Sequence, residues 1–561
     1  MITLGIADNH DSGAALVRDG MPVAAVGQER IDRVKNSGSF PWGAIDAVLE
    51  IAQVSARDVD HLVIGTAFTP STILRALPSA HAQARTRGSF SPLLHAYIVY
   101  QSALRAAKLE HIEINASRRL LKHRLSQRPF TRAELVLMDH HTAHAHAAYR
   151  TQDRSDCLVL TADAMGDGTS ATAFLGRDGE LDLLWRQSGL AAINTFYSRI
   201  TEMLGFQPNR HEGKVMGLAA YATAPTELVG HLESLLYFRA PGFSQVPWWR
   251  NQGPSHPFWQ RVSRWSREEI ASAAQRVLEQ AVTDFVRHWV LTSRCPHVAL
   301  AGGIFANVRV NQLVGALDEV QSLWVYPHMG DGGLPLGAAL GHARSEPRRL
   351  DSIFLGPRFD SRECFRALKM AQVARTKPEE DLEYVANLLA EGKTVARFSG
   401  AMEWGPRALG NRSVLCVPER AEIVQNLNKQ LQRDEFMPFA PMVRAEDAHR
   451  WFQVAPETSR ASRFMTTCLP CTGEFRSAFP AVVHVDGTAR PQLVDREENP
   501  RLHALLTAVE RSNGRGVLLN TSFNVHEEPI VCTPGDAIRA WKQAGLDALW
   551  MSPYVAVREE R

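Results

Sequence analysis

A chain of 561 residues can hold about three or four domain-sized units, and 45% hydrophobic with 22% charged residues is the composition of a soluble globular enzyme. A formal net charge of +2 without a long basic run excludes a broad nucleic-acid footprint, and no apolar stretch reaches the roughly 18–20 residues of a membrane span. The N-terminus lacks the charged-then-apolar layout of a leader, and seven scattered cysteines read as reduced thiols, so a cytoplasmic enzyme is expected.

Residues 2–7 read as a strand, 8–13 as a polar turn carrying Asp8, Asn9 and His10, and 14–17 as the return strand. Arg18-Asp19-Gly20 turns the chain into a third strand at 23–26. Residues 135–138 form a strand leading into a helix that begins Asp139-His140-His141-Thr142-Ala143-His144. The opening layout then recurs: strand 157–162, a turn from Asp163 to Ser170, strand 171–175, Arg177-Asp178-Gly179, strand 181–185. Such a repeat predicts two similar halves facing each other across a cleft. That is the layout of the actin, sugar-kinase and Hsp70 superfamily, whose turns hold nucleotide phosphates with backbone N–H groups; Gly166 and Gly168 occupy the second turn.

Residues 222–262 are rich in proline and aromatic residues, including Trp248, Trp249 and Trp259, and read as an insertion or lid or as a packed surface excursion. Ser266 and Glu269 form a capping box for a helix over about 267–292, whose apolar stripe is core. Strand 297–301 leads to Gly302-Gly303, a pair that opens a helix and lets a ligand approach its positive end. Residues 345–351 are a polar linker. Residues 352–561 alternate short strands and helices in a second domain. Cys468-Leu-Pro-Cys471 has no partner pair, which favours plain thiols over a zinc or redox site.

One constellation suggests a metal. His140 and His144, four apart, project from one helix face and can share one ion. Asp163 ends the first strand of the second repeat, and Asp331 sits in His328-Met-Gly-Asp331-Gly-Gly after a strand at 323–326. Two imidazoles and two carboxylates with open positions suit a first-row transition metal, or Mg or Mn, better than a closed zinc site.

With these residues in view, the chain resembles the nodulation-factor and antibiotic O-carbamoyltransferases. The likeness rests on His140-His-Thr-Ala-His144, Glu212-Gly-Lys-Val-Met-Gly217 and Gly302-Gly-Ile-Phe-Ala-Asn307, then on Glu403-Trp-Gly-Pro-Arg-Ala-Leu-Gly-Asn-Arg412-Ser413, Pro438-Phe-Ala-Pro441, Asp486-Gly-Thr-Ala-Arg490 and Leu519-Asn-Thr-Ser-Phe-Asn-Val-His-Glu-Glu-Pro529. It implies an α/β fold: a duplicated actin/Hsp70-like (RNase H-like) domain at 1–344, then a YrdC-like α/β domain at 352–561. It further implies that carbamoyl phosphate is cleaved in the C-terminal domain and carbamate is adenylated with ATP. Carbamoyl-adenylate then passes to the N-terminal metal site, where the hydroxyl of a small-molecule acceptor, such as a natural product, attacks it. By motif position the resemblance makes His140, His144, Asp163 and Asp331 the ligands of a divalent metal, usually iron, with Mg2+ accompanying ATP. His10 takes the acceptor proton, and Lys35 is a second catalytic candidate. Lys214, Gly166, Gly168, Gly302, Gly303 and Asn307 line the nucleotide, while Arg407, Arg412, Arg490, Asn520, Thr521 and Ser522 bind phosphate in the second domain.

One stretch departs from the family pattern: Leu431 and Met437 stand where family members carry Lys and Arg. The departure admits three readings: Lys429 or Arg444 substitutes, the donor is less charged, or the donor domain is weakened. An adenylate-forming transferase with another donor, and an ATP-dependent kinase using the N-terminal cleft, are the alternatives in view.

Overall fold

The computed structural model describes residues 1–77, 92–191, 193–244, 255–432, 438–455, 460–525 and 527–558. It falls into two compact units, Met1–Gln28 with Asn36–Leu350 and Glu29–Lys35 with Asp351–Arg561. The short segment Glu29–Lys35 thus belongs to the second unit. Arg33 there donates to the carbonyls of Ile530 at 2.7 Å and Pro529 at 2.6 Å. No helix among the described residues is long and apolar enough to cross a membrane.

The first unit is built twice on one plan. Strands β1 (Ile2–Ala7), β2 (Gly13–Arg18), β3 (Met21–Gly27), β4 (His61–Ile64) and β5 (Glu134–Leu137) form a sheet of order β3-β2-β1-β4-β5. Its first three strands are antiparallel and its last two join in parallel. Strands β6 (Cys157–Gly166), β7 (Thr169–Arg177) and β8 (Glu180–Ser188) repeat the meander. After a two-residue hairpin, β9 (Phe238–Arg239) with β10 (Gly242–Phe243), strands β11 (His297–Ala301) and β12 (Ser322–Val325) complete the order β12-β11-β6-β7-β8. This is the duplicated sheet of an actin/Hsp70-like unit, and the whole chain is α/β.

The punctuation has a physical basis. Asp19-Gly20 and Asp167-Gly168 both carry two successive positive φ angles, 49° and 78°, then 49° and 72°. Two positive φ angles in a row match the twist of a two-residue hairpin, and Asp-Gly supplies them at little cost. The turn expected over 163–170 is therefore shorter. Strand β6 continues to Gly166 through an irregular register between Ala162 and Gly166, and only Asp167-Gly168 turn.

The helix Leu334–His342 runs through the middle of the unit. A Cβ at Gly5 would lie 1.8 Å from the Pro335 carbonyl oxygen, and one at Gly337 would lie 2.1 Å from that of Ala143. The helix can therefore touch both β1 and the helix His140–Tyr149, which brings the end of β1 and the loop before Leu334 to the same place.

The helix Arg267–Ser293 starts at Ser266 with both bonds of the capping box present. The described part of 222–262 packs against it. Trp259 is fully buried, Phe243 stacks 4.8 Å from Phe285, and Pro241 accepts the Trp289 indole N–H at 3.0 Å. The described part is a packed layer, while Trp248 and Trp249 lie outside the described residues.

The second unit holds a seven-stranded mixed sheet made from β13 (Val395–Phe398), β14 (Arg412–Cys416), β15 (Ala440–Arg444), β18 (Gln492–Val494), β19 (Leu518–Ser522), β20 (Ala548–Met551) and β21 (Tyr554–Val557). Two further short strands, β16 (Leu469–Pro470) and β17 (Thr488–Ala489), pair with each other. Alternation along the strands feeds two cores. Val395, Leu415 and Leu518 meet Leu502, Leu505 and Val509, whereas Ala396, Val414 and Leu519 meet Leu427, Ile538 and Trp541. Leu431 is fully buried in the second of these cores. Its apolar side chain packs in that core; Met437 lies outside the described residues.

Candidate functional site

In the first unit the ligand atoms of His140, His144, Asp163 and Asp331 all lie within 4.8 Å of one another, and all four residues are buried. The two histidines come from the first two turns of the helix His140–Tyr149, capped by Asp139, whose carboxylate accepts the Thr142 N–H at 3.1 Å. Asp163 comes from the irregular part of β6 and Asp331 from the loop ahead of Leu334. His144 Nε2 is 3.2 Å from Asp163 Oδ2 and 3.5 Å from Asp331 Oδ1, and His140 Nε2 is 3.6 Å from the same Asp331 oxygen.

The donor set fits a metal on its own geometry. Neither ring nitrogen of His140 or His144 has a hydrogen-bond partner among the described residues, although both rings are buried. Two imidazoles whose ring nitrogens have no such partner, turned with two carboxylates toward one point, offer a donor set that suits a cation. Burial alone would depress the His144 ring, but the Asp163 and Asp331 carboxylates outweigh it and lift its pKa to about 9. Burial would likewise raise the Asp331 carboxyl, which His140 and His10 instead hold well below its ordinary value.

The neighbouring His141 serves a different end. Its Nε2–H donates to the Thr169 carbonyl at 3.1 Å and its Nδ1 accepts from Thr161 Oγ1 at 2.6 Å, while burial, then His140 and His144, push its pKa well down. It is a neutral strut between the helix and β6–β7. His146 is also kept neutral, its pKa lowered to about 3 by burial and Arg150.

His10 sits at the edge of the corner, half exposed, with Nδ1 3.3 Å from Asp331 Oδ2. Asn9, which the sequence did not single out, donates its amide to that same oxygen at 2.8 Å. Asp8 is engaged elsewhere, in a buried pair with Arg75 at 2.9 Å. Lys214 is buried in the helix Glu212–Leu218, its ammonium 6.0 Å from the Phe206 ring centroid. Lys35 lies in the segment that belongs to the second unit and is not part of the four-residue cluster.

The glycines expected to cradle a nucleotide are packed against protein. A Cβ at Gly166 would fall 2.1 Å from the His140 ring, and one at Gly168 would fall 2.8 Å from the Gln101 carbonyl. Gly302 faces the Ala162 carbonyl, and the Gly303 N–H donates to Asp163 Oδ2 at 3.2 Å. The pair opens a short 3-10 turn, Gly303–Ala306, and Asn307 caps the following helix Val308–Gly315 by accepting the Val310 N–H at 3.1 Å.

The turn residue Asp167 is the larger surprise. It is fully buried and accepts four backbone N–H groups: Ala67 at 2.7 Å, and Phe68, Thr69 and His140 at 2.8 Å each. Its carboxylate takes the place that an anion would hold against that loop and against the start of the His140 helix.

In the second unit Arg412 is enclosed by backbone. Its guanidinium is fully buried, donates to the carbonyls of Ser399 at 2.7 Å, Asn411 at 3.0 Å, Pro357 at 3.2 Å and Gly400 at 3.3 Å, and lies 3.8 Å from the Phe398 ring centroid. Glu403 ties the same turn, its Oε1 accepting the N–H groups of Leu409, Asn411 and Arg412. Asn520 donates to Ala408 and Gln492, and Arg397 to Gly410 and Asn411. Ser522 donates to Asn524 at 2.6 Å, and Thr521 is buried beside it on β19. Arg407 and Arg490 are half-buried and keep some contact with solvent. Of the proposed substitutes for the missing cations, Arg444 is held by Asp447 at 2.6 Å and Glu510 at 2.7 Å, and Lys429 is exposed.

Two family models match the chain, the carbamoyltransferase N-terminus over residues 2–340 and the carbamoyltransferase C-terminus over residues 386–558. An uncharacterized protein of Synechocystis sp. is 31% identical over 99% of this chain and 96% of its own. Nodulation protein NolNO of Sinorhizobium fredii is 29% identical over 97% of this chain and 78% of its own. The 3'-hydroxymethylcephem-O-carbamoyltransferase of Streptomyces clavuligerus is 30% identical over 44% of this chain and 46% of its own.

Proposed function

The chain belongs to the carbamoyltransferase family, and we propose that it makes carbamoyl-adenylate from carbamoyl phosphate and ATP and passes the carbamoyl group to a hydroxyl of a small molecule. The observation that carries this reading is the buried corner of His140, His144, Asp163 and Asp331 with His10 beside it. The name of the cephem relative, an O-carbamoyltransferase acting on a hydroxymethyl group, supports a hydroxyl acceptor of the natural-product kind.

The chemistry runs in three balanced steps. Water cleaves carbamoyl phosphate to carbamate and phosphate. A carbamate oxygen attacks the α-phosphorus of ATP, and pyrophosphate leaves. The acceptor hydroxyl attacks the carbamoyl carbon, AMP leaves, and the hydroxyl proton passes to a base.

Held by the four residues, a divalent ion such as iron would polarise the carbamoyl oxygen. In this reading His10 is the base. Its Nδ1 stands 3.3 Å from Asp331 Oδ2, and with the proton on that nitrogen Nε2 would be the basic one. In the second unit Arg407 and Arg490 remain the candidates for phosphate, since the two terminal nitrogens of Arg412 donate to backbone carbonyls.

The test is to incubate the protein with Mn2+ or Fe2+, Mg-ATP and carbamoyl phosphate and look for carbamoyl-adenylate by mass spectrometry. Carbamoyl-adenylate with pyrophosphate is expected. ADP in place of pyrophosphate would replace this reading with a kinase, and pyrophosphate formed with a different small carboxylate or carbamate would replace the donor.

A further inference from the structure

We propose that Asn9 is a positioning residue for the cation of the His140–His144–Asp163–Asp331 corner, fixing which oxygen of Asp331 faces the imidazoles. The two oxygens of Asp331 have separate surroundings. Oδ1 lies 3.6 Å from His140 Nε2 and 3.5 Å from His144 Nε2. Oδ2 lies 2.8 Å from the Asn9 amide nitrogen and 3.3 Å from His10 Nδ1.

A carboxylate rotates about its last torsion with little intrinsic preference, so an outside group must choose the oxygen it presents. An amide N–H does so without charge and without titrating. The side chain of Asn9 is itself held. It is 2% exposed, and the preceding Asp8 is locked to Arg75 by bonds of 2.9 and 3.1 Å. Its other end has no apparent use in folding, because Asn9 Oδ1 is buried and accepts no hydrogen bond among the described residues. A buried acceptor left unmet costs stability. A leucine of similar volume would avoid that cost, so the bond to Asp331 is what the asparagine supplies.

Asp163 provides the internal comparison. Its Oδ1 already takes the Ala164 N–H at 2.6 Å, and the amide of Asn194 stands farther off, at 3.5 Å. Backbone positions Asp163, whereas a side-chain amide positions Asp331.

This inference rests on the metal reading of the corner, and titration of the wild-type protein keeps the two apart. Mn2+ binding would be measured by calorimetry, and Co2+ by its visible absorption, for wild type, Asn9→Leu, Asn9→Asp and Asn194→Leu, each confirmed as folded by circular dichroism. Partners of this kind typically contribute about 10–100-fold to metal affinity. The expected result is a loss of that size in both Asn9 variants, a shifted Co2+ spectrum, and a smaller change in Asn194→Leu. Wild-type affinity and spectrum in both folded Asn9 variants would overturn the role of Asn9 alone. A wild-type protein that binds neither ion would overturn the metal reading and this inference with it.

Discussion

The sharpest test of the first unit is Asp167→Asn. Each carboxylate oxygen of Asp167 serves two backbone donors: Oδ2 takes Ala67 and His140, and Oδ1 takes Phe68 and Thr69. Asparagine keeps the shape, tolerates the φ of 49°, and preserves one oxygen with its two bonds. Its NH2 end then faces two N–H groups that have lost their acceptor. A buried donor left unmet costs about 1–3 kcal/mol, so the pair costs about 2–6 kcal/mol. The loss should be local, and a chain of several domains does not unfold in one step. Hydrogen-exchange mass spectrometry on peptides covering 60–77 and 134–149 is therefore the right assay. At about 1.4 kcal/mol per tenfold, exchange of the affected amides should speed up by about 30-fold or more. Mn2+ affinity should fall with it, because the His140 N–H is one of the four anchors. Wild-type exchange at these amides would refute the view that the carboxylate holds the loop and the helix start together.

Other outcomes follow from the same geometry. Alanine at His144 or Asp163 removes a direct donor and should weaken Mn2+ binding by more than the roughly 100-fold expected for a supporting partner, read by calorimetry. Arg412→Met should destabilise the second unit by about 3–5 kcal/mol in urea melts, since it removes a buried charge that Glu403 faces; unchanged stability with a raised KM for carbamoyl phosphate would return Arg412 to the phosphate site. Asp139, whose carboxyl burial would raise but Arg186 and Arg105 hold well below its ordinary value, contributes stability above about pH 4 that is lost as pH falls further. Asp139→Asn should flatten that acid limb of a stability-against-pH curve, and an unaltered limb would remove Asp139 from the account.

What the sequence revealed and what it hid divide along physical lines. Hairpins, the Ser266–Glu269 box and the repeated Asp-Gly punctuation rest on local rules, so they are legible in one dimension. The spacing of His140 and His144 follows from helix geometry, and Asp163 and Asp331 stood out because each ends or follows a strand. Burial is not local, and it decides the rest. Arg412 reads as a phosphate clamp by residue type, yet it lies under Phe398 among four carbonyls. Leu431 reads as a lost cation, yet it packs beside Leu427. Asn9 carried one usable signal, its place between Asp8 and His10 at a strand end, where an amide has no turn role that glycine or serine could not fill.

The placement of carboxylates also bears on the choice between carbamoyl transfer and phosphoryl transfer. In the duplicated layout, a phosphate would be held by backbone N–H groups of the turns. Here several of those groups are already engaged by the chain itself. The loop at 67–69 and the start of the His140 helix donate to Asp167, and Gly303 donates to Asp163. A phosphate entering there would have to displace a buried carboxylate with four charge-assisted bonds, each contributing about 1.5–3 kcal/mol. Asp8, the carboxylate at the end of β1, is likewise neutralised by Arg75. Besides these contacts, four side chains converge on one point with a histidine next to them. In the proposed reading such a set, with a cation bound, would polarise a carbonyl and take a proton, which carbamoyl transfer to a hydroxyl requires. Without turn N–H groups to hold a transferring phosphate, ADP should not accumulate when ATP and an alcohol are supplied without a carbamoyl donor.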